Sequence, residues 1–168
     1  MRPKPFLPEP LQTKPPQADP PAALFVRDRT SGLIWHRSAM RVLYVDTDRS
    51  QVVYHANYLR YFEFGRASLM RDADYPYKQV EEDGHIYPII KTELSYHTPL
   101  HYDDLMYIHT RPTEIGLVKV RFDYLITRAA DGEIACLGYT QHCAVAANSK
   151  KPVEIDEKTI ALWRGFPK

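Results

Sequence analysis

The segment Tyr44-Val-Asp-Thr-Asp-Arg-Ser-Gln-Val-Val-Tyr-His-Ala-Asn-Tyr58 lies between a strand-like run and a helix-like run. It brings together two carboxylates, an imidazole, an asparagine and three tyrosines. Acidic and imidazole groups at the start of a helix lie near backbone N–H donors that stabilise anions. This combination is suited to attack on a carbonyl carbon, so we expect the chemistry of the protein in this segment.

The residues at the end of this segment begin the strongest predicted helix, from Ala56 to Met70. At about 100° per residue, one side of this helix is mainly apolar and carries Tyr58, Leu59, Phe62, Gly65, Leu69 and Met70. Tyr61 and Phe64 fall on the polar side, whereas Arg66 falls on the apolar side. A helix that is apolar on most sides is buried on most sides, so we expect a surrounding sheet and a subunit contact.

Strand-like runs flank the helix on both sides. One strand is predicted at 36–45, before the loop. Residues 72–85 are predicted to be irregular, with Pro76 and Gly84 as breakers. Four more strands are then predicted without an intervening helix, at about 86–97, 104–114, 117–129 and 133–147. The dipeptide Asp131-Gly132 is typical of a hairpin turn and therefore indicates antiparallel pairing. A short helix from Asp156 to Trp163, capped by Asp156, closes a chain that we assign to the α+β class.

The composition excludes several classes of protein. The chain has 168 residues, of which 44% are hydrophobic and 26% are charged, as in ordinary globular proteins. A net charge of +1 gives no reason to expect nucleic acid or an anionic membrane as a partner. No apolar run approaches the roughly 20 residues that cross a bilayer. Because the N-terminus also lacks the apolar core of a secretory signal, we expect a cytoplasmic protein that is not inserted in a membrane.

The two cysteines and the prolines complete this description. Cys136 and Cys143 share one predicted strand, which separates them by roughly 23 Å. A disulfide requires Cα atoms within about 7 Å, so we expect free thiols, as in a reducing compartment. Residues 1–23 contain eight of the fourteen prolines. We therefore expect residues 1–30 to form a Pro-rich extension, disordered or draped over a neighbour, and residues 31–168 to form a single domain.

The central segment resembles a known family. Asp46-Thr-Asp48 followed by Val52-Val-Tyr-His-Ala-Asn-Tyr58 is similar to the hotdog-fold 4-hydroxybenzoyl-CoA thioesterase family, and most of all to its branch of acyl-CoA thioesterases from the Tol–Pal gene cluster. The resemblance implies a hotdog fold, in which a five-stranded antiparallel sheet wraps around a long central helix. It also implies hydrolysis of an acyl-CoA thioester by a homodimer or homotetramer that shares its active sites between subunits. Coenzyme A enters as part of the substrate, and no other cofactor is expected.

The resemblance also implies roles for individual residues. Asp48 corresponds to the catalytic carboxylate, His55 to the histidine that follows it by seven positions, and Tyr44 to the tyrosine four positions before it. We expect Asp48 either to attack the thioester or to activate a water. The first turn of the helix supplies the oxyanion site, His55 orients the loop or the substrate, and Tyr44 supports Asp48. Asp46 is interpreted as a turn or capping residue.

The loop departs from the family pattern in one place. Arg49-Ser50-Gln51 stands where the family usually has small residues and glycine, and glycine tolerates backbone conformations that other residues resist. Arg49 is interpreted as a substrate-binding cation beside Asp48, and three further substrate-binding residues are expected, namely Val53, Tyr54 and Asn57.

Several alternatives stay open. The chain is a non-catalytic acyl-CoA-binding hotdog module if Arg49-Ser50-Gln51 disables the loop. An enoyl-CoA hydratase is less favoured, because Ser95 stands where the aspartate of that motif is expected. Glu63, a candidate helix carboxylate, is more simply interpreted as an ion-pair partner of Arg66. His97 and His101 carry metal-ligating groups, but strand spacing separates them by roughly 13 Å, so no metal site is expected.

Overall fold

A six-stranded antiparallel sheet is the main layer of the protein, in the computed structural model that describes residues 25–166. In the order in which they pair, its strands are β1 (Phe25–Arg27), β2 (Ile34–Arg41), β5 (Leu105–Ile115), β6 (Lys119–Arg128), β7 (Ile134–Cys143) and β4 (Ile89–Tyr96). The other elements are α1 (Asn57–Asp72), α2 (Tyr77–Glu82), α3 (Glu157–Arg164) and a small sheet of β3 (His85–Ile86) and β8 (Val145–Ala146). The predicted α+β class is confirmed.

The prediction of five strands is wrong, because β1 adds a sixth at the edge beside β2. The ring of Phe25 packs edge-to-face on the buried His36, with 5.8 Å between the ring centroids. This strand falls within 1–30, the range that we expected to form a Pro-rich extension. Residues 1–24 and 167–168 lie outside the described residues, so the division into an extension and a domain stays a prediction.

Strand β6 shows the alternation that its sequence predicts. Its inward-facing residues are at most 2% exposed, and they are Val120, Phe122, Tyr124 and Ile126. Successive side chains of a strand point to opposite faces, so one face of the sheet belongs to the core. Burying each large apolar side chain contributes about 1.5–3 kcal/mol to stability. A shift of one residue in the pairing would turn these side chains to the other face, so their burial fixes the register of the strand.

Helix α1 packs on the buried face of the sheet, and two glycines allow the close approach. A Cβ atom on Gly65 would lie 2.5 Å from Thr110 Oγ1 on β5. Phe62 stacks on Tyr124 of β6, with 4.2 Å between ring centroids. A Cβ atom on Gly138 of β7 would lie 2.8 Å from the Phe62 ring. Larger residues at either glycine would therefore push the helix away from the sheet.

The expected long helix is corrected to a short one. Helix α1 has 16 residues, which is about 24 Å at 1.5 Å per residue, although its bounds differ from the predicted 56–70 by at most two positions. Tyr61 is only 1% exposed, although the periodicity placed it on the polar side, because its hydroxyl donates to Asp46. Leu59, which was expected on the apolar side, is 38% exposed.

A second helix lies in the stretch that we predicted to be irregular. Helix α2 is preceded by Pro76 as its N-cap residue and is followed by Gly84, whose φ of 90° is left-handed. We had interpreted both residues as breakers, but here they mark the two ends of a six-residue helix. The closing helix α3 is confirmed, since the Asp156 carboxylate accepts the N–H of Thr159 at 2.8 Å.

A chain of hydrogen bonds runs through the core between α1 and Tyr87, two residues before β4. Arg66 Nη1 donates to the Tyr124 hydroxyl at 3.0 Å, and this hydroxyl lies 2.8 Å from Thr140 Oγ1. His142 Nε2 contacts Thr140 Oγ1 at 2.8 Å, and its Nδ1 contacts the Tyr87 carbonyl oxygen at 2.8 Å. A carbonyl only accepts, so Nδ1 carries the hydrogen. Burial, followed by the charge of Arg66, lowers the pKa of His142 to about 4.

Candidate active site

The loop that precedes α1 folds back on itself before the helix begins. A single 3₁₀ turn spans Tyr44–Asp46, and a bridge pairs Thr47 with Val53. Val53 also donates its N–H to the Leu100 carbonyl oxygen at 2.8 Å, which fastens the loop to the segment before β5. The loop is therefore a fixed part of the fold that places its side chains beside the start of α1.

Asp46 holds this loop from the inside. Its carboxylate is fully buried and accepts hydrogen bonds from Arg60 Nη1 at 2.9 Å and from the Tyr61 hydroxyl at 3.0 Å. The N–H of Leu43 donates to the same group at 3.3 Å. A buried carboxylate needs such partners to offset its lost hydration. These bonds give Asp46 a structural role: the bond from Leu43 caps the 3₁₀ turn, as expected, and the bonds from Arg60 and Tyr61 tie the turn to α1.

Asp48 lies two residues further on, in a tight turn. Its Oδ1 accepts the N–H of Ser50 at 2.7 Å, and its carbonyl oxygen accepts the N–H of Gln51 at 2.9 Å. Gln51 has a φ of 64°, the left-handed conformation that glycine adopts most readily. The loop thus takes a glycine-like conformation without glycine at the position where the chain departs from the family pattern.

Asp48 lines a pocket of about 240 Å³ at the start of α1. Other lining residues come from the loop, from α1, from the end of β4 and from β7, and they include Val53, His55, Tyr58, Tyr96, His97, Pro99 and Ala135. Burial raises the pKa of Tyr58 to about 12 and also raises that of Tyr96. Both phenols therefore stay neutral at physiological pH, so the pocket has aromatic walls and one carboxylate.

His55 is exposed and lines the same pocket. Its ring lies 4.3 Å from the Tyr54 ring and 6.4 Å from the Tyr96 ring, measured between centroids. The Tyr96 hydroxyl donates to the His55 carbonyl oxygen at 3.0 Å. Strand β4 therefore holds the last turn of the loop before α1, and this brings Asp48 and His55 to one cavity.

Tyr44 lies apart from this pocket. Its side chain is 77% exposed, and its ring packs edge-to-face on Tyr102 with 5.6 Å between centroids. The adjacent Leu43 and Val45 are also exposed, at 49% and 76%. These residues form an exposed apolar surface beside the loop, so in this chain Tyr44 is not placed against Asp48.

The four expected substrate-binding residues lie in different surroundings. Val53 is buried in the pocket wall, whereas Arg49 is exposed in the turn and Tyr54 is 44% exposed. Asn57 donates from Nδ2 to the Asp46 carbonyl oxygen at 2.8 Å. Asn57 thus ties the first residue of α1 to the loop, and only Val53 of the four lines the pocket.

The expected pair between Glu63 and Arg66 is wrong, because Arg66 turns inward and donates to Tyr124. The two candidate metal-ligating histidines are separated: His97 lines the pocket, whereas His101 lies 3.8 Å from Asp104. Within the described part of the chain, no group of three or more histidine, cysteine or acidic residues is arranged to hold a metal.

Tyr58, Tyr96 and Pro99 were missed as site residues. Tyr58 ends the segment quoted above, but we assigned it to the apolar face of the helix. Tyr96 and Pro99 lie about forty residues away along the chain. The bond from the Tyr96 hydroxyl to His55 and the bond from the Val53 N–H to Leu100 bring this segment to the loop. A single aromatic residue at the end of a predicted strand, Tyr96, was the one signal available for them.

Comparison with known proteins identifies the family. The Thioesterase-like superfamily matches residues 42–162, which include the whole loop and its pocket. The chain is 33% identical over 127 residues to a putative acyl-CoA thioesterase, YneP, from Bacillus subtilis, covering 76% of this chain and 91% of that protein. This protein therefore belongs to the Thioesterase-like superfamily.

Solved structures agree with this assignment. A hypothetical protein from Aquifex aeolicus superposes with a TM-score of 0.72 and 27% identity, covering 76% of this chain and 98% of that one. A 1,4-dihydroxy-2-naphthoyl-CoA thioesterase from Synechocystis gives a TM-score of 0.72 at 18% identity, covering 77% and 96% of the two chains. At that identity the second likeness shows the fold alone, which is the hotdog fold. Among residues 25–166, no helix is long and apolar enough to cross a membrane.

Proposed function

We propose that this protein hydrolyses an acyl-CoA thioester to a free acid and coenzyme A. The observation that carries the proposal is the position of Asp48, which lines an aromatic pocket at the start of α1. One carboxylate oxygen is held by the N–H of Ser50, and within residues 25–166 no protein donor contacts the other. The name of the relative YneP, a putative acyl-CoA thioesterase, supports the same reaction.

Asp48 acts on the carbonyl carbon of the thioester by one of two routes. It removes a proton from a water that adds to this carbon, or its carboxylate oxygen adds directly and forms a mixed anhydride that water then opens. In both routes the carbon–sulfur bond breaks, the acyl group leaves as a carboxylate, and coenzyme A leaves as a thiolate that takes up a proton. The single fixed oxygen of Asp48 is compatible with either route.

The start of α1 supplies the oxyanion site in this proposal. The positive end of the helix dipole lies where Tyr58, the second residue of α1, lines the pocket. The N–H of Asn57 is already bonded to the Tyr54 carbonyl oxygen at 2.9 Å, and the N–H of Leu59 is bonded to the Ala56 carbonyl oxygen at 3.2 Å. We therefore propose that the N–H of Tyr58 faces the substrate. Losing one such donor typically lowers the rate by roughly 10²–10³.

His55 positions the loop and the thioester, and Arg49 is a cation available to an anionic part of the substrate. The glycine-like φ of Gln51 supports the catalytic reading over a non-catalytic acyl-CoA-binding module. That module was favoured only if Arg49-Ser50-Gln51 disabled the loop. Tyr44 is proposed to contribute through the exposed surface that it shares with Leu43 and Val45.

We further propose that two copies complete the site as a homodimer, with a homotetramer as the larger assembly. Among residues 25–166, strand β4 pairs only with β7 in the sheet, and Ile89, Ile90 and Tyr96 on it are each about half exposed, at 49%, 48% and 49%. An unpaired strand edge with apolar side chains is a surface on which another chain adds. Tyr96 also lines the pocket, so pairing there would bring a second copy to Asp48.

Three finer assignments complete the proposal. Within the superfamily, we place the chain in the 4-hydroxybenzoyl-CoA thioesterase family and its Tol–Pal-cluster branch. We also propose a cytoplasmic location and a reaction without metal or added cofactor. The free thiols of Cys136 and Cys143 support a reducing compartment.

The test is the release of free thiol from a panel of aliphatic and aromatic acyl-CoAs. We expect turnover of at least one member, with the full chain as purified. A protein that binds members of the panel but hydrolyses none would reject the enzyme and favour the binding module. Light scattering on the same sample measures the assembly, and a monomer at working concentration would reject the shared site.

A further inference from the structure

A second cavity lies at the end of the molecule opposite to the Asp48 pocket. It is a groove of about 660 Å³ between the start of β2, the end of β5 and the last turn of α3. His36, two residues after the groove-lining Ile34, bonds Asp72 at the end of α1 at 2.7 Å. The Asp48 pocket lies at the first turn of α1, so the length of the helix, about 24 Å, separates the two cavities.

The groove carries positive charge without an acidic partner. Arg111 and Arg164 line it, and no acidic side chain does so among residues 25–166. Arg111 Nε and Nη1 are buried and have no hydrogen-bond partner in the described part of the protein. Asp123, which faces Arg111 in the β5–β6 register, instead accepts from Arg121 at 2.6 Å. Buried donors without acceptors are costly, so this groove favours an anion.

The remaining walls are apolar and aromatic. Leu33, Ile115 and Phe166 line the groove, and Leu33 is 41% exposed. Trp163 is 4% exposed, and its Nε1 also lacks an acceptor among the described residues. The guanidinium of Arg111 lies over the Trp35 ring, with 5.5 Å to the centroid. The groove is therefore lined by two residues that carry buried N–H donors without acceptors among the described residues, and by an apolar surface beside them.

We propose that this groove binds an amphipathic monocarboxylate, with its carboxylate on Arg111 and its apolar chain along Leu33, Ile115 and Phe166. The planar guanidinium presents parallel N–H donors that match the two oxygens of a carboxylate. The volume falls in the range of small-molecule sites, about 300–1,000 Å³. The acid released by the reaction proposed above belongs to this chemical class, and that link alone rests on the proposed function.

The tryptophans make the test specific. The chain has two, Trp163 in the groove wall and Trp35 under Arg111. Intrinsic fluorescence therefore responds to binding in this groove, and the variants below distinguish it from the small cavity beside His142 that Trp163 also lines. We expect decanoate, below its micelle concentration, to change the emission of the full chain saturably. Decanol, which has the same chain without the charge, should bind at least about 10-fold more weakly.

Variants locate the carboxylate. Arg111→Gln should weaken decanoate binding at least about 10-fold, and Arg164→Gln, at an exposed position, should weaken it less. Lys119→Gln removes the same charge from an exposed position on β6 outside the groove and should leave binding unchanged. Thermal unfolding of each variant checks that the fold is retained, and Arg164→Gln keeps the test valid if Arg111→Gln is unstable.

Three results would overturn the proposal. The first is an emission that does not respond to decanoate, which would leave the groove to solvent or to another part of the chain. The second is equal binding by Arg111→Gln, Arg164→Gln and Lys119→Gln. The third is tighter binding of decyl phosphate than of decanoate, which would assign the groove to phosphates. None of these measurements requires turnover, so the proposal of hydrolysis and the proposal of a carboxylate-binding groove are tested independently.

Discussion

Two carboxylates of the same loop, Asp46 and Asp48, have opposite surroundings although only one residue separates them. Asp46 is fully buried and accepts from Arg60, Tyr61 and the backbone of Leu43. Asp48 is partly exposed, borders a 240 Å³ cavity and accepts only from its own turn, among the described residues. A buried carboxylate with several hydrogen-bond donors stabilises the fold, whereas a carboxylate with one oxygen that has no donor, beside a cavity, is available for chemistry. The loop divides these two tasks between neighbouring positions.

The largest expected effect is on turnover, and it concerns Asp48, the carboxylate beside the pocket. Asp48→Asn keeps the size of the side chain but removes its basicity and nucleophilicity. We expect the turnover number to fall by about 10³ or more, while the free energy of unfolding changes by less than about 0.5 kcal/mol. Thiol release and urea unfolding measure the two quantities, and a fully active variant would reject our assignment of Asp48.

The next effect is on stability, and it concerns Asp46, the buried carboxylate of the loop. Asp46→Asn leaves Arg60 and Tyr61 facing a neutral amide, and we expect a loss of about 3 kcal/mol in the free energy of unfolding. The double variant with Arg60→Gln should lose less than the sum of the two single variants, since the partners form one unit. Additive losses in urea unfolding would show that Asp46 and Arg60 do not act together.

The contrast between an exposed and a buried group is repeated by two histidines. His55 is exposed at the pocket, whereas His142 is 1% exposed and both its nitrogens are bonded. The pKa of His142 in the folded state, about 4, lies below its unfolded value of about 6.5. The unfolded state therefore binds more protons between these pH values, and stability is lost as the pH falls through that window.

The size of this loss is on the order of 3 kcal/mol at most. We expect the free energy of unfolding of the wild type, measured in urea, to fall by this amount between about pH 6.5 and 4. His142→Gln, measured at the same pH values, should not show this loss. Aspartates with lowered pKa values, such as Asp83, lose their contribution below this window. Equal pH slopes in the two proteins would contradict the neutral, doubly bonded His142.

The smallest expected effect concerns the turn of the pocket half. A residue other than glycine in the left-handed conformation costs roughly 1–2 kcal/mol, and glycine at position 51 would remove this cost. Glycine would also increase the entropy of the unfolded chain, which opposes the gain. We expect Gln51→Gly to change stability by less than about 1 kcal/mol and turnover less than two-fold. Gln51→Val should be less stable and less active, and a Gln51→Val protein that equals the wild type would show that this φ is not required.

Much of the fold was predictable because it depends on local patterns. The alternation of β6, the bounds of α1 and the cap at Asp156 all follow from periods and caps within a few residues. Helix α2 was missed because Pro76 and Gly84 were interpreted as breakers, whereas a proline before a helix and a glycine after it are also typical of helix ends.

The site was less predictable, because its contacts span long separations. The burial of Asp46 depends on Arg60 and Tyr61, one helix turn or more into α1, and spacing alone did not indicate which of two aspartates would be enclosed. Tyr96 reaches the loop through a hydrogen bond to the carbonyl oxygen of His55, which lies 41 residues away along the chain. Helix spacing predicted that Arg66 pairs with Glu63. In the structure Arg66 instead donates to Tyr124, whose hydroxyl also bonds Thr140 in the core.

The most direct test of the division between the two carboxylates is chemical rescue by formate. Asp48→Ala leaves space in the pocket for a small carboxylate, and we predict that added formate raises its release of coenzyme A at least about 10-fold. Asp46→Ala should not respond, because its missing carboxylate bonds α1 and does not reach the pocket. Equal responses of the two variants, or an Asp48→Ala protein as active as the wild type without formate, would contradict a chemical role for Asp48.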